Sequence, residues 1–244
     1  MTMDREHILH EMGLGPVWKL RVTPAAKLVE DLAAPAAAPV APLQATVPAI
    51  AAAAAHVGMT WDELADTVAA CRQCRLCEAR KQAVLGVGDR NADWLFVGEG
   101  PGAEEDQRGE PFVGQAGKLL DNMLAAIGLK RGTDVYIANA VKCRPPENRT
   151  PAPEEAAACR PYLERQIELI QPKLIVALGR PAAQTLLQGE VKIASARGKL
   201  HDYRGIPLII TYHPAYLLRT LLDKAKAWED LCFMRRTMKA QKGG

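Results

Sequence analysis

Six cysteines carry the first chemical signal: Cys71, Cys74, Cys77, Cys143, Cys159 and Cys232. Five of them fall between residues 71 and 159, and Cys71-x-x-Cys74 forms a tight pair. Residues 1–12, MTMDREHILHEM, are charged and hold no apolar signal region, so a cytoplasmic chain is expected. In that setting the pattern points to a metal centre before it points to disulfides. Two thiolates from a tight pair and two from separated positions can converge on zinc or on an iron–sulfur cluster. Buried free cysteines are the plainer alternative. Cys77 could replace Cys74 as a ligand, and Cys232, on an amphipathic C-terminal stretch, is expected to pack. A redox role for the pair is disfavoured, because no helix follows it in the thioredoxin manner.

Two further groups could do chemistry. Gly98-Glu99-Gly100-Pro101-Gly102 turns the backbone sharply and leaves one carboxylate in a place where a ligand can approach closely. It lacks the dinucleotide-binding spacing, and no helix is expected directly after it. The cluster Glu104, Glu105 and Asp106 follows, then Phe112 within GEPFVGQAG. Phe112 reads either as a hydrophobic plug or as a stacking surface for a flat ligand. The segment His213-Pro214-Ala215-Tyr216-Leu217-Leu218-Arg219 pairs a turn-end histidine with apolar wedges and a cation. Such wedges beside an arginine suit insertion into a base stack while phosphate is held.

These residues need elements to position them. Thr60 and Glu63 form a capping box for a helix running to Cys71. Short apolar runs predict strands at Asp93–Gly98, Val135–Val141, Leu174–Leu178 and Leu208–Tyr212. Helical spacing predicts helices near Gly117–Ile127, Pro153–Ile170, Arg180–Leu187 and Lys224–Thr237. Alternation of apolar strands with amphipathic helices implies an α/β domain with a parallel sheet covered on both faces. Ligands in such sheets bind beyond the carboxyl ends of the strands. Those ends read GEGPG, NAVKC, LGR and YHP, which is where the candidate residues lie.

Composition divides the 244 residues further. Residues 32–61 carry no Lys, Arg, Asp or Glu, and Ala33–Ala55 holds thirteen alanines and four prolines. The prolines and the scarcity of large apolar side chains argue against a membrane span and favour a semi-rigid linker. Three parts follow: an amphipathic segment at 1–31, a linker at 32–59 and a domain at 60–244. The formal charge of +3 hides an asymmetry. Residues 62–141 sum to −4 and residues 142–244 to +8, enough for the C-terminal half to meet a polyanion.

The motifs GEGPG, GxPFVGxAG, NxVKCRPPxNR, CRP and HPxYLLR occur here in one order and spacing. From about Cys71 to Arg219 the chain closely resembles the family 4 uracil-DNA glycosylases, the iron–sulfur branch of their superfamily. The resemblance implies a three-layer α/β/α sandwich with a central four-stranded parallel sheet, and excision of uracil from DNA in repair. It implies a [4Fe–4S] cluster on Cys71, Cys74, Cys143 and Cys159. Glu99 would position the hydrolytic water, and His213 would face uracil O2. Phe112 would stack on the base, Asn139 would read its O4 and N3 edge, and Gly100 would border it. Glu105 would exclude the thymine methyl, and Asn148 would support the loop. Tyr216, Leu217, Leu218 and Arg219 would meet the DNA. A related branch traps its product through an inserted histidine. The corresponding CRPPENRTPAPEE has none, so turnover and release are expected.

Two other classes compete with this reading. A non-catalytic metal-stabilised DNA-binding module would bind DNA without releasing base, and the GEGPG and HPAYLLR loops argue against it. An electron-transfer protein would need a redox partner motif. The cluster is expected instead to act as a brace that sets Arg144, Arg149 and Arg160 near phosphate. Residues 5–21, REHILHEMGLGPVWKLR, resemble the N-terminal peptide by which the psi subunit of the bacterial clamp loader contacts chi. A tether to a replication protein is the partner this implies, with the enzyme otherwise monomeric and free of membrane.

Overall fold

The structure, a computed structural model, describes residues 58–243. The 1–31 segment, its peptide at 5–21 and nearly all of the 32–59 linker lie outside the described residues. No helix among the described residues is long and apolar enough to cross a membrane.

The first helix, Trp61–Ala70, begins where the sequence places it. Thr60 Oγ1 accepts the Glu63 amide, while Glu63 Oε2 accepts the Thr60 amide at 2.8 Å. Leu64 and Val68 form its buried stripe, and Cys71 ends it in an extended conformation.

Four strands are parallel and wholly buried or nearly so: β2 (Trp94–Gly98), β3 (Val135–Asn139), β4 (Leu174–Leu178) and β6 (Ile206–Thr211). They are the four expected strands. The sheet is nevertheless larger than the four-stranded one implied by the sequence. Two antiparallel edge strands, β1 (Val87–Gly88) and β5 (Leu200–Tyr203), complete a six-stranded sheet in the order β1-β3-β2-β4-β6-β5. β1 has only two residues, and β5 (LHDY) is mostly solvent-facing, so neither carries an apolar run.

Strand side chains alternate between two faces, and each face has its own core. On one, Phe96, Ile137, Val176 and Ile209 pack with Leu120 and Leu124 of helix Gln115–Ala126 and with Met234 of helix Lys224–Lys242. On the other, Leu95, Val97, Ala138, Ile175 and Ile210 pack with Leu163 and Ile167 of helix Pro153–Ile170 and Ala183 of helix Arg180–Leu187. That makes the α/β/α sandwich. A third, smaller apolar group gathers Leu64, Val68, Leu76, Val141 and Tyr162 around Cys143 and Cys159.

One local expectation is overturned. A helix does follow the glycine loop at once, over Ala103–Arg108 with Gly102 at its N-cap. No capping side chain serves it, but Glu104, Glu105 and Asp106 fill its first turn, where carboxylates complement the helix dipole. The acidic cluster is thus a helix start. Asp106, 2% exposed, also accepts the Lys81 and Gln82 amides, which ties the preceding loop to this helix.

Candidate active site and cysteine cavity

The carboxyl ends of β2, β3, β4 and β6 open into one cleft of about 840 Å³. Glu99, Gly100, Glu105, Phe112, Asn139, Asn148, His213, Tyr216 and Arg219 all line it. A single surface therefore collects nine of the eleven non-cysteine residues to which the resemblance gives a site role.

The position of each follows from its element. Asn139 is the last residue of β3 and pairs in register with Gly98 at the end of β2. Its amide and the Phe112 ring both press on Gly98, leaving no room there for a Cβ. Asn139 is 2% exposed, and its Oδ1 has no hydrogen-bond partner. A buried acceptor left unmatched costs about 1–3 kcal/mol, so the cleft holds an amide awaiting a donor.

Phe112 sits 5.5 Å from the His213 ring, centroid to centroid, with the planes tilted by 31°. It is buried rather than exposed, and its φ of +56° lies in the left-handed region, uncommon for a bulky residue. Such backbone costs on the order of 1–3 kcal/mol and persists only where its surroundings enforce it. Glu105 Oε1 accepts the amides of Val113 at 2.9 Å and Gly114 at 3.0 Å. Arg131 donates to the carbonyls of Pro111 at 2.9 Å and Phe112 at 2.8 Å. Gly117 lacks the Cβ that would collide with the Phe112 carbonyl.

His213 caps helix Pro214–Arg219, its Nδ1 accepting the Ala215 amide at 3.1 Å. A backbone amide can only donate, so the neutral ring carries its proton on Nε2. Burial first, and then the Arg219 cation, push its pKa down to about 4 against the opposing pull of Glu105. The ring is a neutral donor at neutral pH. Burial raises the Glu99 pKa, while the Thr150 hydroxyl and the Arg180 cation oppose the shift. Thr150, Arg180, Lys192 and Tyr212 also line the cleft and were not singled out by sequence reasoning. Arg180 is the last residue of the LGR strand end and Tyr212 the first of YHP, and those strand ends were the available signal.

One expectation fails. Leu217 does not reach the cleft mouth: it is 1% exposed and belongs to the core on the helix Lys224–Lys242 side. Its neighbour Leu218 is 41% exposed, while Tyr216 donates its hydroxyl to Asp223 at 2.6 Å. Successive residues of a helix face different directions, so the two leucines cannot both reach the rim. The arginines expected near phosphate each have a side-chain neighbour, and Arg149 also lines the cleft. Arg149 forks onto Glu155 at 2.7 and 2.8 Å, Arg144 donates to Asn148 Oδ1 at 2.8 Å, and Arg160 lies 3.5 Å from Glu164.

The cysteines gather in a second, small cavity. Cys71, Cys74, Cys143 and Cys159 line it together with Arg80 and Tyr162, and Cys77 does not. The backbone amide of Lys142 donates to Cys159 Sγ at 3.2 Å, and Arg80 donates to Cys143 Sγ at 2.8 Å. Burial pushes the Cys159 thiol up to about 12 and raises those of Cys74 and Cys143. Four thiols that face one another and repel as thiolates suit a cationic group. None of the six cysteines is in a disulfide.

Comparison with known proteins gives the same assignment. Residues 85–232 match the family described as the uracil DNA glycosylase superfamily. The type-4 uracil-DNA glycosylase of Archaeoglobus fulgidus is 47% identical over 165 residues, covering 64% of this chain and 82% of that protein. The Thermotoga maritima type-4 enzyme is 49% identical over 158 residues, with the same coverage of 64% and 82%. The Pyrobaculum aerophilum type-4 enzyme is 42% identical over 181 residues, covering 71% of this chain and 92% of its own. The matched span contains every strand end that builds the cleft, and the chain belongs to the uracil-DNA glycosylases, in their type-4 branch.

Proposed function

We propose that the cleft receives a uracil extruded from DNA and hydrolyses its N-glycosidic bond, releasing the free base and leaving an abasic site. The observation that carries this reading is the buried, unmatched Asn139 Oδ1 beside the Phe112 ring. Uracil N3–H supplies the missing donor, and the amide NH₂ of Asn139 then meets O4. Cytosine presents the opposite pattern on the same edge.

The remaining residues divide the reaction. Extrusion costs a few kcal/mol, which stacking on Phe112 and contacts at the rim through Tyr216, Leu218 and Arg219 offset. The C1′–N1 bond breaks with its electron pair passing to the base, and the sugar acquires oxocarbenium character. The Nε2–H of His213 donates to O2, where the anion's charge collects. Glu99 faces the cationic sugar and takes a proton from the attacking water, and Thr150 and Arg180 favour its ionised form. Glu105, which accepts two loop amides, would exclude a C5 methyl, and Gly100 would let the base approach. Asn148 supports the loop through Arg144.

Cys71, Cys74, Cys143 and Cys159 are the residues that would hold a [4Fe–4S] cluster. Among the described residues no group of three or more His, Cys, Asp or Glu is arranged to hold a metal ion, and it is the lining of one cavity by these four cysteines that supports the reading. When bound, it supplies iron–thiolate bonds tying the 71–74 turn, the 143 loop and helix Pro153–Ile170 together. The hydrolysis needs no electron from it.

The test is an excision assay on oligonucleotides carrying U·G, U·A, T·G or single-stranded uracil. Free uracil from the uracil substrates and no thymine from T·G is the expected result. Salt-sensitive DNA binding with no base released would instead identify a binding module.

A further inference from the structure

We infer that Arg131 is a positioning residue for base stacking, which acts by fixing the backbone of Phe112. The inference rests on the reading of Phe112 as the uracil-stacking side chain. The direction of a side chain is set by the two peptide planes that flank its Cα, and each plane is rigid. Arg131 Nη1 holds the plane between Pro111 and Phe112 through the Pro111 carbonyl. Its Nη2 holds the plane between Phe112 and Val113 through the Phe112 carbonyl, and Glu105 holds that same plane through the Val113 amide. Both dihedrals of Phe112 are therefore determined from outside, at a φ of +56° that a phenylalanine would otherwise leave.

Arginine is suited to this task, because its planar fork reaches two successive carbonyls at once and a lysine reaches one. The fork is itself oriented by Asp121 of helix Gln115–Ala126, which accepts from Nε at 2.9 Å. Arg131 does not line the cleft, so its effect passes through Phe112 alone.

Uracil release under single-turnover conditions and inhibition by free uracil are measured for wild type, Arg131→Met, Arg131→Lys, Phe112→Ala and the double variants. Each is assayed where circular dichroism shows it folded. Arg131→Met is expected to lower the rate about tenfold or more and to weaken free-uracil binding by a similar factor. Arg131→Lys should fall between it and wild type. In the Phe112→Ala background, Arg131→Met should change either quantity by less than about twofold. An equally large loss in that background shows a general structural role and overturns the inference, as does wild-type behaviour of Arg131→Met. Should Arg131→Met not fold, Asp121→Ala carries the same test. It removes only the fork's third anchor, and its loss must likewise vanish with Phe112→Ala. If Phe112→Ala binds and releases uracil like wild type, the stacking assignment falls and the inference with it. An impaired Phe112→Ala beside unaffected Arg131 variants sinks the inference alone.

Discussion

His213 accepts the Ala215 amide on Nδ1 at 3.1 Å, so one hydrogen bond both starts the helix Pro214–Arg219 and sets which ring nitrogen bears the proton. The helix start and the ring tautomer are thus one feature, and protonation of Nδ1 would break both.

This makes the acid behaviour of the enzyme predictable. In the folded chain the His213 pKa is lowered from 6.5 to about 4, so the unfolded chain binds the extra proton first. The stability associated with this ring is complete above pH 6.5 and is lost as pH falls towards 4. The melting temperature should fall over that window by less in His213→Asn than in wild type. Nitrogen-15 spectra should show the Nε2–H tautomer at neutral pH, and a ring titrating near 6.5 would contradict the assignment. Burial also raises the Glu99 pKa, so the acid limb of kcat/KM is expected to lie higher than for an ordinary exposed glutamate. Glu99→Gln should abolish that limb and reduce kcat by roughly 10²- to 10⁴-fold.

Asn139→Ala should lower kcat/KM for uracil by roughly 10- to 100-fold, because uracil N3–H then loses its acceptor in a dry site. Asn139→Asp keeps an oxygen and loses the amide donor that meets O4. Its preference should shift from uracil towards cytosine, as measured by competition between the two substrates. An unchanged preference would remove Asn139 from base reading.

These tests rest on residues whose legibility in the sequence differed for physical reasons. β3 and β4 read clearly, because burial on both faces leaves short apolar runs, though the run at β3 continues to Val141 while the strand ends at Asn139. β5 did not, because a half-exposed edge strand such as LHDY has no pattern to detect. The strand-end residues could be gathered into one site because a parallel sheet brings its carboxyl ends together wherever they lie in the chain. The Arg131 clamp left no such trace, since it lies nineteen residues from Phe112 and its acceptors are backbone carbonyls, which every residue type carries.

The cysteine cavity predicts an unequal response to substitution. Cys143→Ser and Cys159→Ser should lose iron and visible absorbance and melt at lower temperature, since both thiols face the cavity from buried positions. Cys77→Ser should retain iron, because Cys77 does not line the cavity. Iron per chain and the melting curve check both, and iron loss on Cys77→Ser would place the ligand set elsewhere.

The two leucines of HPAYLLR should separate stability from DNA handling. Leu217, 1% exposed, packs into the same core as Leu231 and Met234, and truncating such a side chain to alanine costs about 2–5 kcal/mol. Leu217→Ala should therefore melt well below wild type, yet keep the ratio of its rates on double- and single-stranded substrate while folded. Leu218 is 41% exposed, beside Arg219 at the cleft, and loses little packing when truncated. Leu218→Ala should melt like wild type and lose rate selectively on duplex DNA, where a base must be displaced from its stack, and little on single strands, where that cost is smallest. The opposite pattern would return the wedge to Leu217 and require the helix Pro214–Arg219 to rotate on meeting DNA.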